Sequence, residues 1–288
     1  MRELDSFRDR KRHIEWFKQR FKGRTLLSIS VHDVTEFREE LDDLATQTIN
    51  HYHAALKHLL GLAASSQYKL IPSNNAVEVP MPDPKNQRSE MLSVEEWAAL
   101  RDELATHLKE IVLVAYTCGP RKGEILTLEW PNVDLNQRVF VLNKTKNGEP
   151  RTVPILTEEV YDTFQRLSKV RRLDTKRVFL YEGKSIAGIK TGFTAACRRS
   201  GVLENHKENG FTFHDLRHCS ATNMRRAGIP SSVVMKIMGW KSIEMYKRYD
   251  KIEPRDFHHA SKALSAYLES NTVITPARFH ERVATVSV

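Results

Sequence analysis

The residues of this chain that could do chemistry come from five short motifs and suit the handling of a phosphate group. Two arginines, a lysine, a histidine, a tryptophan and a tyrosine stand out, namely Arg121, Lys146, His214, Arg217, Trp240 and Tyr249. Guanidinium groups hold phosphate through two parallel hydrogen bonds and neutralise the charge that grows in its transition state. A tyrosine hydroxyl can attack phosphorus and form a covalent intermediate. These residue types therefore indicate phosphoryl transfer without a metal ion.

The motif at residues 119–124 combines a bend with the start of a helix. Gly119 and Pro120 interrupt an apolar run, so Arg121 falls at or near the first turn of the next helix. Free backbone N–H groups at such a turn favour an anion beside the guanidinium. The alternative interpretation is a surface arginine that pairs with Glu124.

The motif at residues 214–218 predicts a helix face that carries two histidines and an arginine, because these residues are three and four positions apart. A zinc-binding histidine pair is the alternative. A zinc peptidase motif, however, has glutamate where this chain has Asp215, and a divalent cation would repel Arg217. The motif therefore favours an imidazole next to a phosphate clamp, and no metal site is expected.

Two tyrosines, Tyr246 and Tyr249, compete for the role of nucleophile on one short helix. Tyr249 directly follows Arg248 and lies nine residues after Trp240, whose indole N–H can donate a hydrogen bond to a phosphate oxygen. These two features favour Tyr249. Because the ordinary pKa of tyrosine is about 10, neighbouring guanidinium groups must activate the hydroxyl.

The order and spacing of these motifs resemble those of the tyrosine recombinases, the family of phage integrases and chromosome-dimer resolvases. The resemblance covers nearly the whole chain and makes Tyr249 the nucleophile and Lys146 the general acid that protonates the departing 5′ oxygen. Lys144 is the alternative general acid. Four residues then hold the phosphate, namely Arg121, His214, Arg217 and Trp240. Of these four, His214 is also the expected acceptor of the tyrosine proton. Glu124 and His218 have supporting roles.

The resemblance also implies an activity. DNA attachment sites would be cleaved and rejoined through a 3′-phosphotyrosyl bond by a homotetramer, without a cofactor, ATP or a metal. The expected partners are double-stranded DNA and an accessory DNA-bending or directionality factor, and the expected location is the nucleoid in the cytoplasm of a bacterial host. Two alternatives stay open. A type IB topoisomerase would need no paired DNA sites, and a DNA-binding regulator with an idle catalytic fold would not need the tyrosine.

Composition agrees with a nucleic-acid partner but does not identify one. The net charge of +9 at pH 7 and the pI near 9.4 suit a polyanion. Residues 1–84 carry equal numbers of basic and acidic residues, so the excess charge lies in the later part of the chain. Three cysteines without metal-type spacing indicate buried thiols of a reducing compartment. Neither a signal peptide nor a membrane-spanning apolar run is expected.

The elements that must position these residues are predicted to form a mainly α fold with a small antiparallel β-sheet. Apolar residues at helical spacing predict a helical domain over residues 1–72, which the resemblance makes a core-type DNA-binding domain. Clustered prolines mark an interdomain linker over residues 73–90. An α+β tyrosine recombinase catalytic domain is expected over residues 91–270, opened by a capping box at residues 93–96. Within it, Asn147-Gly148 predicts the turn of a β-hairpin.

Basic side chains of both domains are expected to contact the DNA backbone. They are Arg8, Arg12, Lys18, Lys22, Lys144, Arg151 and Lys241. After the nucleophile, Pro254 is expected to begin a helix with an apolar stripe. Residues 271–288 form a strand-prone tail that is expected to dock on a neighbouring protomer, and the alternative is that this tail covers its own domain. Since the first helical stripe begins at Phe7, no additional amino-terminal domain of the kind that larger phage integrases use for distant arm-type sites is expected.

Overall fold

The structure, a computed structural model, describes residues 7–85, 88, 90–143, 149–208, 210–250 and 254–271. The chain divides into two compact units, residues 1–87 and residues 88–288, and each unit has its own hydrophobic core. The predicted limits of the two domains, the linker and the tail remain predictions.

The first unit is a small bundle whose described helices are α1 (Phe7–Arg20), α2 (Val31–Glu40) and α3 (Thr46–Ala64). Short 3₁₀ turns lie at Leu26–Ser28 and Asn75–Val77. The helices meet through the almost fully buried side chains of Phe17, Phe37 and Leu56. A capping box begins α2, because Ser30 and Asp33 exchange hydrogen bonds between side chain and backbone in both directions.

The second unit surrounds a buried helix with shorter helices and a small antiparallel sheet. Its strands are β1 (Val133–Asp134), β2 (Val139–Leu142) and β3 (Arg151–Pro154) in one sheet, and β4 (Leu180–Tyr181) and β5 (Lys184–Ser185) in a second. Its described helices are α4 (Val94–Glu103), α5 (Thr106–Cys118), α6 (Lys122–Leu126), α7 (Glu158–Lys169), α8 (Lys190–Arg199), α9 (Val202–Asn205), α10 (Asp215–Arg226), α11 (Ser231–Met238), α12 (Ile243–Lys247) and α13 (Pro254–Asn271).

Helix α5 lies at the centre of this unit because it is apolar on most sides. Ile111, Val112 and Val114 are fully buried, and the helix packs against α7 and α10. Strand β2 pairs antiparallel with both β1 and β3, and Leu142 lies opposite Arg151. Strand β3 also contacts α11, so the sheet brings its last strand next to the helix that precedes Trp240.

The mainly helical fold with small antiparallel sheets is confirmed. The capping box predicted at residues 93–96 is present, since the Ser93 hydroxyl accepts from the Glu96 amide and the Glu96 carboxylate accepts from the Ser93 amide. The predicted turn at residues 147–148 and the tail beyond residue 271 lie outside the described residues. Within the ranges that are described, no helix is long and apolar enough to cross a membrane.

Helix α13 begins at Pro254, as predicted, and carries its apolar stripe on the outside. Between 54% and 69% of each large apolar side chain in this stripe is exposed, namely Phe257, Leu264, Tyr267 and Leu268. A stripe this exposed adds little to the core of its own unit.

Candidate active site

A left-handed glycine sets the position of the first arginine. Gly119 ends α5 with φ of +69°, and a Cβ atom there would lie 2.7 Å from Met238 Sδ and 2.9 Å from Ser220 Oγ. Conformation and space therefore both require glycine. The chain then turns through Pro120, and Arg121 becomes the N-cap residue of α6. This agrees with the helix start predicted for Arg121.

The Glu124 carboxylate, rather than a set of free amides, occupies the start of α6. It accepts from the Arg121 amide at 2.7 Å and from Arg121 Nη1 at 3.0 Å. It also accepts two hydrogen bonds from Arg151, at 2.8 and 2.7 Å. Burial disfavours the charge of Glu124, but the hydrogen bonds and charges of Arg151 and Arg121 outweigh burial and hold its pKa below the ordinary value. One carboxylate is therefore shared by two guanidinium groups.

Arg217 is the most buried cation of the site, with 4% of the residue exposed. Its Nη1 donates to the Gly119 carbonyl and its Nη2 donates to the Met238 carbonyl. Burial lowers its pKa to about 9, and the positive charges of Arg121 and Arg151 add to the effect. Arg217 is thus still protonated at neutral pH, and an anion that arrives beside it would be bound strongly.

Tyr249 is half-buried and stacks on Trp240, with ring centroids 4.8 Å apart and an angle of 10° between the ring planes. The guanidinium carbon of Arg217 lies 5.7 Å from the centroid of the Trp240 ring. Burial raises the pKa of Tyr249 above its ordinary value, while the positive charges of Arg217 and Arg248 act in the opposite direction. The phenol is therefore protonated at neutral pH, next to cations that favour its ionised form.

Tyr246, the other candidate nucleophile, has a different environment. It lies on α12, whereas Tyr249 lies after the C-cap residue Arg248, so the prediction that both tyrosines share one short helix is wrong. Only 5% of the residue is exposed, and it belongs to the hydrophobic core of the second unit. Burial raises its pKa as well. The described ring contacts join Tyr249, and not Tyr246, to Trp240 and His218.

A chain of rings connects Tyr249 to the start of α10. The His218 ring lies 5.3 Å from the Tyr249 ring and 5.3 Å from the His214 ring. Burial, with the charge of His214, lowers the pKa of His218 to about 4. His214 keeps an exposed edge, yet partial burial and the charge of Arg217 lower its pKa too. Both imidazoles are therefore mainly neutral at pH 7, and the low pKa of His218 makes it a weak base.

Two residues that position the site, Arg88 and Asp215, were given no such role by the sequence. Asp215 is fully buried and receives a two-pronged ion pair from Arg88, with Nε at 2.9 Å and Nη2 at 2.8 Å. The Thr212 amide and hydroxyl donate to the same carboxylate, each at 2.7 Å. Asp215 thereby fixes the first turn of α10 between His214 and Arg217. Arg88 lies 127 residues away in the chain, so only the fold reveals this pair.

The structure brings together seven of the eight residues predicted to be catalytic or supporting: Arg121, Glu124, His214, Arg217, His218, Trp240 and Tyr249. Lys146, like the alternative Lys144, lies outside the described residues.

An open groove of about 400 Å³ runs past Arg121, Thr152, Trp240 and Lys241. Throughout the described part of the chain, no three His, Cys, Asp or Glu residues are grouped so that they could hold a metal ion.

The predicted DNA contacts have varied environments. Arg8, Arg12 and Lys18 are exposed on α1, and Lys22 is exposed just after it. Lys241 is also exposed and pairs with Glu149 at 2.7 Å. Arg151 differs from the rest, because only 8% of its side chain is exposed and its guanidinium binds Glu124. Arg151 also lines the open groove beside Arg121, and its predicted contact with DNA remains a prediction.

The sequence of this chain is similar to those of known integrases. The sequence profile of the phage integrase family matches residues 86–255. The integrase of Salmonella phage P22 is 31% identical over 217 residues, which make up 70% of this chain and 53% of that protein. The matched region thus spans about half the length of the P22 integrase.

Solved structures show the same fold. The Tn1549 transposon integrase in complex with circular intermediate DNA superimposes with a TM-score of 0.70 at 21% identity, covering 91% of this chain and 94% of that one. A lambda integrase dimer bound to a COC′ core site gives a TM-score of 0.71 at 16% identity, covering 88% of this chain and 76% of that one. Because the family profile matches more than half of the sequence and spans every residue of the site described above, this chain belongs to the phage integrase family of tyrosine recombinases.

Proposed function

We propose that this protein is a site-specific DNA recombinase that cleaves and rejoins double-stranded DNA through a bond between Tyr249 and a 3′ phosphate. The stacking of Tyr249 on Trp240, beside the buried Arg217, carries the proposal. This arrangement supplies a nucleophile, a neutral hydrogen-bond donor and a fixed positive charge in one place. Binding of DNA without chemistry would not require a phenol held in this way.

In the first step, the Tyr249 oxygen forms a bond to phosphorus while the bond from phosphorus to the 5′ oxygen of the next nucleotide breaks. Because burial raises the pKa of Tyr249, its hydroxyl carries a proton that must leave during the attack. His218 faces the Tyr249 ring as a neutral imidazole, and His214 lies next to it with an edge in solvent. We expect His214 to receive this proton, as the resemblance implies, with His218 in a supporting role between the two rings.

The charge that develops on the phosphoryl oxygens is neutralised by Arg217 and Arg121. Hydrogen bonds to two backbone carbonyls hold Arg217 in one orientation, so little reorganisation is needed when a phosphate arrives. Trp240 can donate its indole N–H but cannot transfer a proton at neutral pH. Protonation of the departing 5′ oxygen is assigned to Lys146 on the resemblance alone, since this residue lies outside the described residues.

The second step reverses the first, because the 5′ hydroxyl of a partner strand attacks the phosphotyrosyl bond. The energy of the cleaved bond is kept in this intermediate, so neither ATP nor a cofactor is required. Strand exchange needs two DNA attachment sites and, as we propose, a homotetramer, with a DNA-bending or directionality factor as an accessory partner. The exposed apolar stripe of α13 supports assembly, because a neighbouring protomer would cover it.

We also propose that residues 271–288 continue this contact onto the neighbouring protomer. The protein would then work where bacterial DNA is found, at the nucleoid in the cytoplasm. The helical first unit would contribute DNA contacts through its exposed basic residues on and after α1.

Covalent trapping tests the assignment of Tyr249. The attachment site would be identified at the ends of the element that carries the gene, and a duplex of it with a nick close to the cleavage point would be incubated with the protein. Wild type and the matched control Tyr246→Phe should accumulate a protein–DNA adduct, whereas Tyr249→Phe should bind the duplex without forming one. An adduct with Tyr249→Phe would refute the assignment. Relaxation of supercoiled DNA without exchange between two sites would favour a topoisomerase, and binding without any adduct would favour a regulator.

A further inference from the structure

Arg151 is a nearly buried arginine that binds Glu124 and the backbone at the end of α11. Its Nε donates to the Ile237 carbonyl at 3.0 Å, and its two terminal nitrogens donate to the two oxygens of Glu124 at 2.8 and 2.7 Å. Gly239 makes room for it, because a Cβ atom at Gly239 would lie 3.0 Å from Arg151 Cδ. The side chain therefore reaches from β3 to α6 and passes the end of α11, directly before Trp240.

Arg121 binds the same carboxylate less completely. It uses one guanidinium nitrogen, at 3.0 Å from Glu124, and 24% of its side chain is exposed, on the wall of the open groove. Two guanidinium groups thus share the single negative charge of Glu124, and Arg151 has the closer, two-pronged contact. Arg121 keeps positive charge and free N–H groups for a ligand in the groove.

The consequence of losing Arg151 follows from burial. The Glu124 side chain is only 4% exposed, so its charge needs a partner inside the protein. Without Arg151, the Arg121 guanidinium would be the remaining side-chain cation hydrogen-bonded to Glu124. The two would then pair fully, and Arg121 would be drawn away from the phosphate.

We propose that Arg151 is a positioning residue that neutralises Glu124 and so keeps Arg121 available for the phosphate. This inference rests on the proposed function, in which Arg121 holds the scissile phosphate. It gives Arg151 a role in charge balance and not in direct contact with DNA. It also explains why a buried carboxylate is tolerated in a site that must bind an anion.

A charge-compensation experiment tests the proposal. In the full-length protein, Arg151→Met should slow adduct formation on the nicked duplex by on the order of 10-fold or more. This is less than the roughly 10²–10³-fold cost of removing a transition-state donor, because Arg121 is weakened and not removed. Adding Glu124→Gln to Arg151→Met removes the unbalanced negative charge, so the double variant should cleave faster than Arg151→Met alone. Arg151→Lys, which keeps the charge, should lose less activity than Arg151→Met. The matched control is Arg166→Met, which removes an exposed arginine paired with Glu110 at 2.7 Å.

Binding of vanadate, a phosphate analogue, gives a second readout that does not depend on cleavage. Its affinity should fall in Arg151→Met and recover in the double variant, while circular dichroism checks that each protein is folded. If the double variant cleaves and binds vanadate no better than Arg151→Met, Arg151 has only a structural role and the proposal is wrong. If wild type binds vanadate with the expected variant pattern but forms no adduct, the proposed function fails while the role of Arg151 stands.

Discussion

Replacing Arg88 with methionine should destabilise the second unit, although Arg88 itself is not expected to touch DNA. The substitution leaves the Asp215 carboxylate, which is fully buried, without the cation that donates to it at 2.8 and 2.9 Å. The two hydrogen bonds from Thr212 remain, but they do not neutralise the charge. Methionine keeps much of the length and packing of the arginine stem, so the change mainly removes charge and donors.

The expected loss is about 3 kcal/mol of unfolding free energy at pH 7, at the lower end of the range of about 3–5 kcal/mol for removing one partner of a buried ion pair. The lower end applies because 29% of the Arg88 side chain is exposed. Burial opposes the charge of Asp215, but the bonds from Arg88 and Thr212 prevail and hold its pKa below the ordinary value of 3.8. The stabilisation is therefore present above the unfolded-state pKa and is lost as the pH falls through the folded-state pKa.

Urea denaturation followed by tryptophan fluorescence measures this effect. Trp16 is the only tryptophan of the first unit, so a Trp16→Phe background restricts the signal to the second unit. The difference between the Trp16→Phe protein and its Arg88→Met derivative should be largest near pH 7. It should shrink at acidic pH, because Asp215 becomes protonated first in the derivative and then, below its lowered folded-state pKa, in the protein that keeps Arg88. Arg166→Met serves as the surface control and should change stability by less than about 1 kcal/mol. A difference below 1 kcal/mol at pH 7, or one that does not change with pH, would show that the ion pair does not stabilise the fold.

Two further predictions concern residues that the resemblance or the exposed surface singles out. Lys146→Ala should slow cleavage by on the order of 10²-fold, which is the scale for a lost general acid. A DNA substrate with a 5′-thiolate leaving group, which needs no protonation, should restore the rate. If this substrate rescues Lys144→Ala instead, the general acid is Lys144. Leu264→Glu with Leu268→Glu on α13 should reduce tetramer formation on DNA without lowering the melting temperature of the free protein, and deletion of residues 272–288 should act in the same direction. Normal assembly of both altered proteins would mean that this end of the chain does not dock on a neighbour.

The local features of the site could be predicted from sequence because short-range rules determine them. Gly119-Pro120 predicts a helix break before Arg121, and the break is present. The distinction between Tyr246 and Tyr249 depended on the offset from Trp240, and the stacking of Tyr249 on Trp240 agrees with that choice. Spacing across one turn is enough for the first inference. Trp240 lies before α12 and Tyr249 after it, so their offset is informative only together with the resemblance.

The ion pairs that organise the site could not be predicted, because they join distant parts of the chain. In the sequence, Arg151 looks like a DNA contact because it is a basic residue on a predicted hairpin. It is a partner of Glu124 because the fold brings β3 close to α6. Arg88 lies in a segment that reads as a linker, yet it holds Asp215. A charged residue can serve equally well on a surface or in a buried pair, and its sequence neighbours do not decide between the two.

The motifs are weak individually and specific as a set because, among those that the structure describes, several meet at one guanidinium. Arg217 comes from the motif at residues 214–218, but its orientation is fixed by the Gly119 carbonyl and the Met238 carbonyl, which belong to or adjoin two other motifs. Gly119 must lack a side chain so that Met238 can approach it. Met238 in turn lies just before Gly239-Trp240, and Trp240 supports Tyr249. A change in any one motif therefore alters the geometry of a side chain contributed by another, which is why their joint presence indicates a working site more strongly than any one of them does alone.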